Sequence, residues 1–348
     1  MGKQSKSNLA KSNLAKSNMA NSNTAKPSII VTHRLPDAVH SRLVDLFDAT
    51  LNLSDMPMSQ DELKQAVKTA DVLVPTVTDK IDADVIAAAG PQLKMIANFG
   101  AGTDHIDRSA AHAKNITVTN TPGVLTEDTA DFAMALILAV PRRLVAADRL
   151  TRAGEFKGWT PTGILGHRVR GKKLGIVGMG RIGQAIARRA SAFGLKVHYH
   201  NRAPVSPPIE DALHATYWPD LDSMMANVDI LSINCPSTPE TYHLISAERL
   251  AAMPAHGVII NTSRGEIIDE AALADALANG QIAGAGLDVY ENEPKIHAGL
   301  LGLPNVILAP HIASATHESR LEMGEKVMIN IRALYDGHRC PDRVLPPA

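Results

Sequence analysis

Short apolar runs alternate along most of the chain with longer stretches in which apolar residues recur every three or four positions. The short runs predict buried strands, and the periodic stretches predict helices with one apolar face. The predicted strands are 29–31, 50–53, 72–74, 93–97, 116–119, 174–177, 195–200, 229–233, 258–261, 284–289 and 306–309. The predicted helices are 37–47, 60–69, 106–113, 125–139, 182–190, 247–253, 270–278 and 318–335. Such alternation is typical of parallel sheets that are covered on both faces.

The chain length and two long helices indicate two domains. A chain of 348 residues is long enough for two domains with separate cores. Helix 125–139 precedes Pro141, which should kink or end it, and is expected to lead into the second domain, whereas helix 318–335 can return to the first. We expect an α/β fold with two doubly wound parallel-sheet domains, one Rossmann-type and one flavodoxin-like, and a ligand-binding cleft between them. The predicted substrate-binding domain is 27–121 with 313–348, and the predicted dinucleotide-binding domain is 122–312.

The first 26 residues differ from the rest of the chain. A five-residue unit occurs four times, beginning at Lys6, Lys11, Lys16 and Asn21. The segment is polar, has no acidic residue and carries too little apolar surface to offset the entropy of ordering, so we expect residues 1–26 to be disordered. It lacks the continuous apolar stretch of a secretory signal. A transit peptide stays open because the segment is rich in serine and free of acids, although it contains no arginine.

The charge, apolar runs and cysteine content of the chain argue against several classes of binding partner and location. The net charge is −1 and charged residues make up 20% of the chain, unlike a nucleic-acid-binding protein. No apolar run reaches the ~18 residues that a membrane-spanning helix requires. The two cysteines, Cys235 and Cys340, argue against a disulfide framework and suit a reducing compartment. We therefore expect a cytoplasmic protein with a small-molecule substrate, without nucleic-acid or membrane partners and without a metal site.

A glycine-rich turn lies between a predicted strand and a predicted helix. Its sequence is Gly178-Met179-Gly180-Arg181-Ile182-Gly183. Gly178 permits the tight turn, Gly180 lets backbone approach a pyrophosphate, and Gly183 lets the helix pack closely on the strand. The N–H groups at the helix N-terminus are available to phosphates. With the next strand, 195–200, the segment forms a βαβ unit, which indicates dinucleotide binding.

Three side chains suited to acid–base chemistry and anion binding follow predicted strands in the second half of the chain. Arg264 offers a planar fork of donors to a carboxylate. His311 can change protonation near neutral pH, and a carboxylate such as Glu293 beside it would orient the ring and favour its protonated form. Each residue alone is more often a surface or structural one. Their shared position at strand ends, beyond a dinucleotide loop, favours a common site.

Six segments, in order along the chain, carry a resemblance to a known family: 100–107 (GAGTDHID), 120–124 (NTPGV), 178–183 (GMGRIG), 261–265 (NTSRG), 286–294 (GLDVYENEP) and 310–316 (PHIASAT). From about residue 28 to residue 339 the chain resembles the D-isomer-specific 2-hydroxyacid dehydrogenases, most closely their glyoxylate/hydroxypyruvate reductase branch. The resemblance implies NAD(P)H-dependent reduction of glyoxylate to glycolate and of hydroxypyruvate to D-glycerate. It also implies a homodimer, with the helices after Leu125 at its interface.

The resemblance further implies residue roles. His311 would protonate the carbonyl oxygen, Glu293 would hydrogen-bond His311, and Arg264 would hold the substrate carboxylate and polarise the carbonyl. The implied substrate-binding residues are Ala101 and Gly102 through their backbone amides, Arg264, and Trp159, which would reach the partner's pocket. The implied cofactor-binding residues are Thr129, Gly178, Met179, Gly180, Arg181, Ile182, Gly183, Asn201, Arg202, Thr262, Ser263, Asp288, His311 and Ala313. Among these, Asp288 would contact the nicotinamide carboxamide.

The end of the second strand of the βαβ unit bears on the choice of cofactor. An acid there would accept hydrogen bonds from the ribose hydroxyls of NAD and repel the 2′-phosphate of NADP. Segment 197–202 (VHYHNR) contains no acid, and Arg202 can pair with a phosphate. We therefore expect NADPH to be favoured, with NADH use left open.

Alternative functions remain at this point. Phosphite dehydrogenases carry Lys where this chain has Ala101, and formate dehydrogenases pair their His with Gln rather than with an acid such as Glu293, so both substrates are disfavoured. Bulkier 2-oxo acids such as hydroxyphenylpyruvate stay open because the sequence does not give the pocket size. A nucleotide-sensing, corepressor-like binding module is an alternative of another class. Such modules carry a peptide-docking surface, and the N-terminal repeat of this chain is a poor candidate for one.

Overall fold

The computed structural model describes residues 26–346, which form two α/β units. The first unit contains β1 (Ser28–Val31), α1 (Asp37–Leu46), β2 (Asp48–Leu51), α2 (Gln60–Thr69), β3 (Val72–Val74), α3 (Ala83–Ala87), β4 (Met95–Ala97), α4 (Arg108–Ala113), β5 (Thr117–Thr119), α13 (His317–Tyr335) and β13 (Arg343–Val344). The second contains α5 (Thr126–Ala139), α6 (Leu144–Arg152), β6 (Lys173–Val177), α7 (Arg181–Ala192), β7 (Lys196–His200), α8 (Pro207–Leu213), β8 (Thr216–Tyr217), α9 (Leu221–Met225), β9 (Ile230–Ile233), α10 (Ala247–Ala252), β10 (Val258–Asn261), α11 (Glu270–Ala278), β11 (Gly284–Leu287), α12 (Ala298–Leu301) and β12 (Val306–Leu308). A 3₁₀ turn spans Gly265–Ile267.

The predicted N-terminal extension lies almost wholly outside the described residues. Of the segment 1–26, only Lys26 is described. Its ammonium donates a hydrogen bond of 2.6 Å to the Asp45 carbonyl at the end of α1.

The first sheet has the order β13-β5-β4-β3-β1-β2, in which β1 to β5 are parallel and β13 is antiparallel to β5. The arrangement 2-1-3-4-5 is the flavodoxin-like order. Helix α13 returns to this sheet, because Met323 and Ile331 pack in the same core cluster as Ile29. Gly324 of α13 approaches α1 so closely that a Cβ there would meet Val39, and the two helices are thereby fixed on the sheet.

The second sheet has seven parallel strands in the order β12-β11-β10-β9-β6-β7-β8. If the strands of this sheet are renumbered from 1 in chain order, starting at β6, the five from β8 to β10 have the order 3-2-1-4-5. This is the Rossmann order, so the predicted fold class is confirmed. Helix α5 packs into this unit, since Ala133 and Ile137 share a core cluster with Ile176 and Ile186. As predicted, α5 ends before Pro141.

The elements that were not predicted are mostly short. They are α3, α6, α8, α9, α12, β8 and β13. Pieces of two to seven residues contain too few turns for an apolar period to show. The nine-residue α6 was also missed, and it buries none of its residues. Strand β2 lies two residues earlier than predicted, since it takes its register from β1, with Ser28 opposite Asp48.

Parallel strands end at one edge of each sheet, and the carboxyl-terminal edges of both sheets meet at one cleft. The turns that follow these strands therefore converge, although they are distant in sequence. Within residues 26–346, the helices are all too short or too polar to cross a bilayer.

Candidate active site

A cleft of about 720 Å³ lies between the two units. The turns after β1, β3 and β4 line it from the first unit, and those after β9, β10, β11 and β12 line it from the second. Most of the residues predicted for chemistry are among the lining residues: Ala101, Gly102, Thr129, Ile182, Thr262, Ser263, Arg264, Asp288, Glu293, His311 and Ala313.

His311 and Glu293 form a hydrogen-bonded pair in this cleft. His311 Nδ1 lies 2.9 Å from Glu293 Oε2, and the other oxygen of Glu293 accepts a hydrogen bond from the Tyr290 backbone N–H (3.1 Å). Burial raises the pKa of Glu293, but the hydrogen bond and charge of His311 outweigh it, so this pKa lies below its usual range. An ionised Glu293 can only accept, so Nδ1 carries the proton and Nε2 is the nitrogen available to a substrate.

The backbone at His311 is held in a left-handed conformation. Its φ is 55°, which residues other than glycine seldom adopt. The His311 N–H donates to the Asp288 carbonyl (2.9 Å), and the Asp288 carboxylate accepts from the N–H groups of Ile312 and Ala313 (both 2.8 Å). Asp288 is fully buried, and burial raises its pKa against these two hydrogen bonds. Asp288 thus holds the turn that presents the imidazole.

Arg264 meets an acid from the other unit. Its Nε and Nη2 donate to the two oxygens of Asp104, both at 3.0 Å, and its Nη1 donates to the Ser263 carbonyl (2.8 Å). Burial raises the pKa of Asp104, but the charge and hydrogen bonds of Arg264 outweigh it and hold this pKa below its usual range. A guanidinium has five N–H groups, so one on Nη1 and one on Nη2 remain for a further anion.

The turn after β4 presents two backbone amides to the cleft. Asn98 Nδ2 donates to the Gly102 carbonyl (2.8 Å) and Asn120 Nδ2 donates to the Ala101 carbonyl (2.6 Å), so both carbonyls are occupied. His105 Nε2 donates to Asn98 Oδ1 (3.0 Å), and burial lowers the pKa of His105 to about 4, so the ring is neutral. Within the described chain, the N–H groups of Ala101 and Gly102 donate to no protein acceptor.

The glycine loop has the geometry that a pyrophosphate requires. Gly178 has φ 98°, and a Cβ at Gly183 would overlap the Gly178 carbonyl. A Cβ at Gly180, directly before α7, would meet nothing within 4 Å, so the backbone there is open to a ligand. Asn201 Oδ1 accepts from the Met179 N–H (2.8 Å) and fixes the loop to the end of β7. A phosphate would therefore meet the N-terminal N–H groups of α7.

Two buried polar atoms beside this loop have no hydrogen-bond partner among residues 26–346. They are Asn234 Oδ1 and Thr262 Oγ1, and both residues line the cleft. Buried polar atoms are normally satisfied, so the two atoms fit a polar ligand such as the amide or hydroxyl groups of a dinucleotide.

Eight predicted site residues are not among those that line the cleft: Gly178, Met179, Gly180, Arg181, Gly183, Asn201, Arg202 and Trp159. The three glycines, Met179 and Asn201 build the loop described above. The side chains of Arg181 and Arg202 are exposed, at the start of α7 and just after β7. Trp159 is 85% exposed, in a segment without helix or strand, and does not line the cleft of its own chain.

Sequence reasoning missed several residues that build the site. Asp104 and His105 lie in the segment 100–107 and Asn120 in 120–124, both of which carry the family resemblance, but no local pattern shows that Asp104 meets Arg264. Asn98 and Arg320, which also lines the cleft, gave no signal in the sequence.

Comparisons with known proteins agree with one another. Residues 134–313 match the family described as D-isomer specific 2-hydroxyacid dehydrogenase, NAD binding domain. A glyoxylate reductase of Thermococcus litoralis is 44% identical over 323 residues, which cover 92% of this chain and 97% of that protein. A glyoxylate reductase of Korarchaeum cryptofilum is 45% identical, covering 92% of this chain and 96% of that protein. The crystal structure of an NADPH-dependent glyoxylate/hydroxypyruvate reductase from Sinorhizobium meliloti with NADP and malonate is 37% identical, has a TM-score of 0.82, and covers 92% and 97% of the two chains.

Proposed function

Because the chain belongs to the D-isomer specific 2-hydroxyacid dehydrogenase family and is an NAD(P)-dependent oxidoreductase, we propose that it reduces glyoxylate to glycolate and hydroxypyruvate to D-glycerate. The observation that carries this proposal is the meeting of Arg264 and the His311–Glu293 pair in one cleft beside the glycine loop. We assign substrate binding to the unit 27–121 with 313–348, and dinucleotide binding to the unit 122–312.

The substrate carboxylate binds between Arg264 and the turn after β4. The remaining N–H groups on Nη1 and Nη2 of Arg264 suit two carboxylate oxygens, and the N–H groups of Ala101 and Gly102 can donate to the same anion. A site that fixes the carboxylate also fixes the neighbouring carbonyl, which Arg264 polarises.

His311 completes the reduction by adding a proton to the carbonyl oxygen. A bound dihydronicotinamide supplies the hydride for the carbonyl carbon. The doubly protonated His311 ring donates from Nδ1 to Glu293 and from Nε2 to the developing alkoxide, so the negative charge is neutralised as it forms. Glu293 orients the ring and stabilises its charged form. The left-handed turn held by Asp288 fixes where Nε2 points.

The glycine loop binds the pyrophosphate, and the residues that line the cleft beside it bind the nicotinamide half.

We propose that NADPH is preferred over NADH. Among the described residues, the end of β7 offers Asn201 and the exposed Arg202 where an acid would favour NAD. Replacing Arg202 by Ala should lower kcat/KM for NADPH and leave that for NADH nearly unchanged. Equal losses with both cofactors would contradict the preference.

We further propose a homodimer that is formed through segment 144–165. Its apolar side chains are exposed in the single chain, with Phe156 62% and Leu165 67% accessible. A groove of about 340 Å³ lies beside α6 and is lined by Val140, Leu144 and Leu165. An apolar patch of this kind marks a protein interface. Light scattering after size exclusion should give twice the monomer mass, and Leu165→Asp should shift it toward the monomer.

The two cysteines described, Cys235 and Cys340, are unpaired, which supports the proposal of a reducing, cytoplasmic location.

NADPH oxidation at 340 nm with a panel of 2-oxo acids tests the function. Glyoxylate and hydroxypyruvate should be reduced with higher kcat/KM than hydroxyphenylpyruvate. Selective turnover of the bulky acid would redirect the proposal to larger substrates. Nucleotide binding without turnover of any acid would instead favour a sensing module.

A further inference from the structure

The cleft contains a partly buried arginine that contacts no acid among the described residues. Arg320 lies in the first turn of α13 and lines the cleft together with Arg264 and His311. Its Nη1 contacts Ser314 Oγ (3.3 Å) and Met323 Sδ (3.4 Å), and both are uncharged, weak acceptors. Among residues 26–346 it forms no salt bridge. A guanidinium that is partly withdrawn from water normally has a carboxylate partner, because its desolvation is costly.

The acids that line the cleft are all committed elsewhere. Asp104 is bound by Arg264, Glu293 is bound by His311, and Asp288 accepts two backbone N–H groups. Arg34, the third arginine of the lining, is half exposed and lies 3.6 Å from Asp37. Arg320 is therefore the arginine of the described cleft that has no carboxylate.

The surroundings of Arg320 add to this imbalance. Burial lowers the pKa of Arg320, and no carboxylate in the described part of the chain opposes this effect. Ser314, which contacts Arg320, lies three residues after His311, so the positive group is close along the chain to the proton donor.

We propose that Arg320 is a second anion-binding residue of the active site, which recognises a carboxylate on the substrate beyond the 2-oxo acid group. This inference rests on the proposed function, since Arg264 is taken to hold the first carboxylate. The reaction is unchanged: a hydride goes to the carbonyl carbon and a proton to its oxygen. The enzyme then reduces 2-oxo dicarboxylates to 2-hydroxy dicarboxylates in addition to short monocarboxylates.

The test compares acids that differ by one carboxylate. Mesoxalate is glyoxylate with a second carboxylate on the carbonyl carbon, and 2-oxoglutarate carries its second carboxylate two methylenes away. Both should be reduced by the wild-type enzyme with NADPH. Replacing Arg320 by Gln should lower kcat/KM for at least one of them by about 30-fold, the usual scale for removing a partner of a buried charge, and that for glyoxylate by less than about 3-fold.

Two further variants control the experiment. Arg320→Lys keeps the charge but loses the planar fork, so it should restore part of the dicarboxylate activity. Arg34→Gln removes another cleft arginine, and an equal loss in that variant would show a general effect of charge and overturn the assignment. Equal losses for glyoxylate and the dicarboxylates, or no loss for either, would also overturn it. Melting temperature and NADPH affinity check that each variant is folded.

Binding of products separates this inference from the proposed function. Tartronate and glycolate also differ by one carboxylate, and their dissociation constants for the enzyme–NADP⁺ complex need no turnover. Tighter binding of tartronate, lost in Arg320→Gln, supports the second anion site even if glyoxylate is not reduced. If glyoxylate is reduced while tartronate binds no better than glycolate and no dicarboxylate is turned over, the inference fails and the proposed function stands.

Discussion

Arg264 and Asp104 join the two units of the protein through a pair of hydrogen bonds, both 3.0 Å long, between residues 160 positions apart. The contact uses the Nε–Nη2 edge of the guanidinium and leaves a donor on each terminal nitrogen for the substrate. Asp104 is thus a positioning residue, which sets the direction of the arginine that binds the 2-oxo acid.

Replacing Asp104 by Ala should free the Arg264 fork to rotate. We expect KM for glyoxylate to rise roughly 10-fold with a smaller change in kcat, since each tenfold step corresponds to about 1.4 kcal/mol of binding. Asp104→Asn keeps one acceptor, so its KM for glyoxylate should lie between those of the wild type and the Ala variant. Steady-state kinetics at saturating NADPH measure both constants. A lower KM in the Ala variant would mean that Asp104 competes with the substrate instead of positioning Arg264.

Gly102→Ala should disrupt the contact between Arg264 and Asp104 by steric overlap. A Cβ at Gly102 would overlap Arg264 Nη2 and crowd Asp104, so the guanidinium must move. We expect kcat/KM for glyoxylate to fall about 100-fold, as is typical when a substrate-positioning group is displaced. Gly302→Ala is the matched control, because a Cβ there meets nothing within 4 Å. Similar activity in both variants would show that the turn tolerates a side chain.

The His311–Glu293 pair predicts two losses of rate. His311→Ala should reduce kcat by roughly 10²- to 10⁴-fold, the usual contribution of a general acid, with little change in NADPH affinity. Glu293→Gln keeps the shape of the side chain but removes the carboxylate that accepts from Nδ1 of His311, so the ring is oriented less firmly and its charge is no longer balanced. We expect kcat to fall by roughly 10-fold, the scale of one charge-assisted hydrogen bond, with little change in KM for glyoxylate. A kcat equal to that of the wild type would exclude this role for Glu293.

His105 predicts a loss of stability in mild acid. Burial lowers the pKa of its folded form to about 4, below the ordinary value of 6.5, so the unfolded chain binds the proton more readily. Its contribution is fully present above pH 6.5 and is lost progressively as the pH falls toward 4, on the order of 3 kcal/mol in the free energy of unfolding.

Denaturant titrations at pH 7.5 and pH 4.5 measure this effect. His105→Gln can still donate to Asn98 but does not titrate, so its free energy of unfolding should fall less between the two pH values than that of the wild type. The difference between the two proteins isolates His105 from other titrating groups. An identical pH dependence in both would contradict the assignment.

Much of the fold followed from local patterns. Apolar periodicity predicted α2, β3, β10 and α11 with the bounds that the structure has, because each is long enough or buried enough to show its period. The glycine loop was readable because its turn, its open backbone and its close packing each require a residue without a side chain at a fixed spacing. The strand-end positions of Arg264, Glu293 and His311 also followed from the alternation.

The contacts between these residues were decided by tertiary structure. The sequence by itself determined the fold class, the dinucleotide loop and the family, since periodicity, turn glycines and ordered motifs are properties of neighbouring residues. Only the packing of the two sheets decided that Asp104 faces Arg264, that Asp288 braces the turn at His311 and that Arg320 lies in the cleft without an acid. The physical reason is that such contacts join segments far apart in the chain, and their geometry depends on how every intervening element is packed.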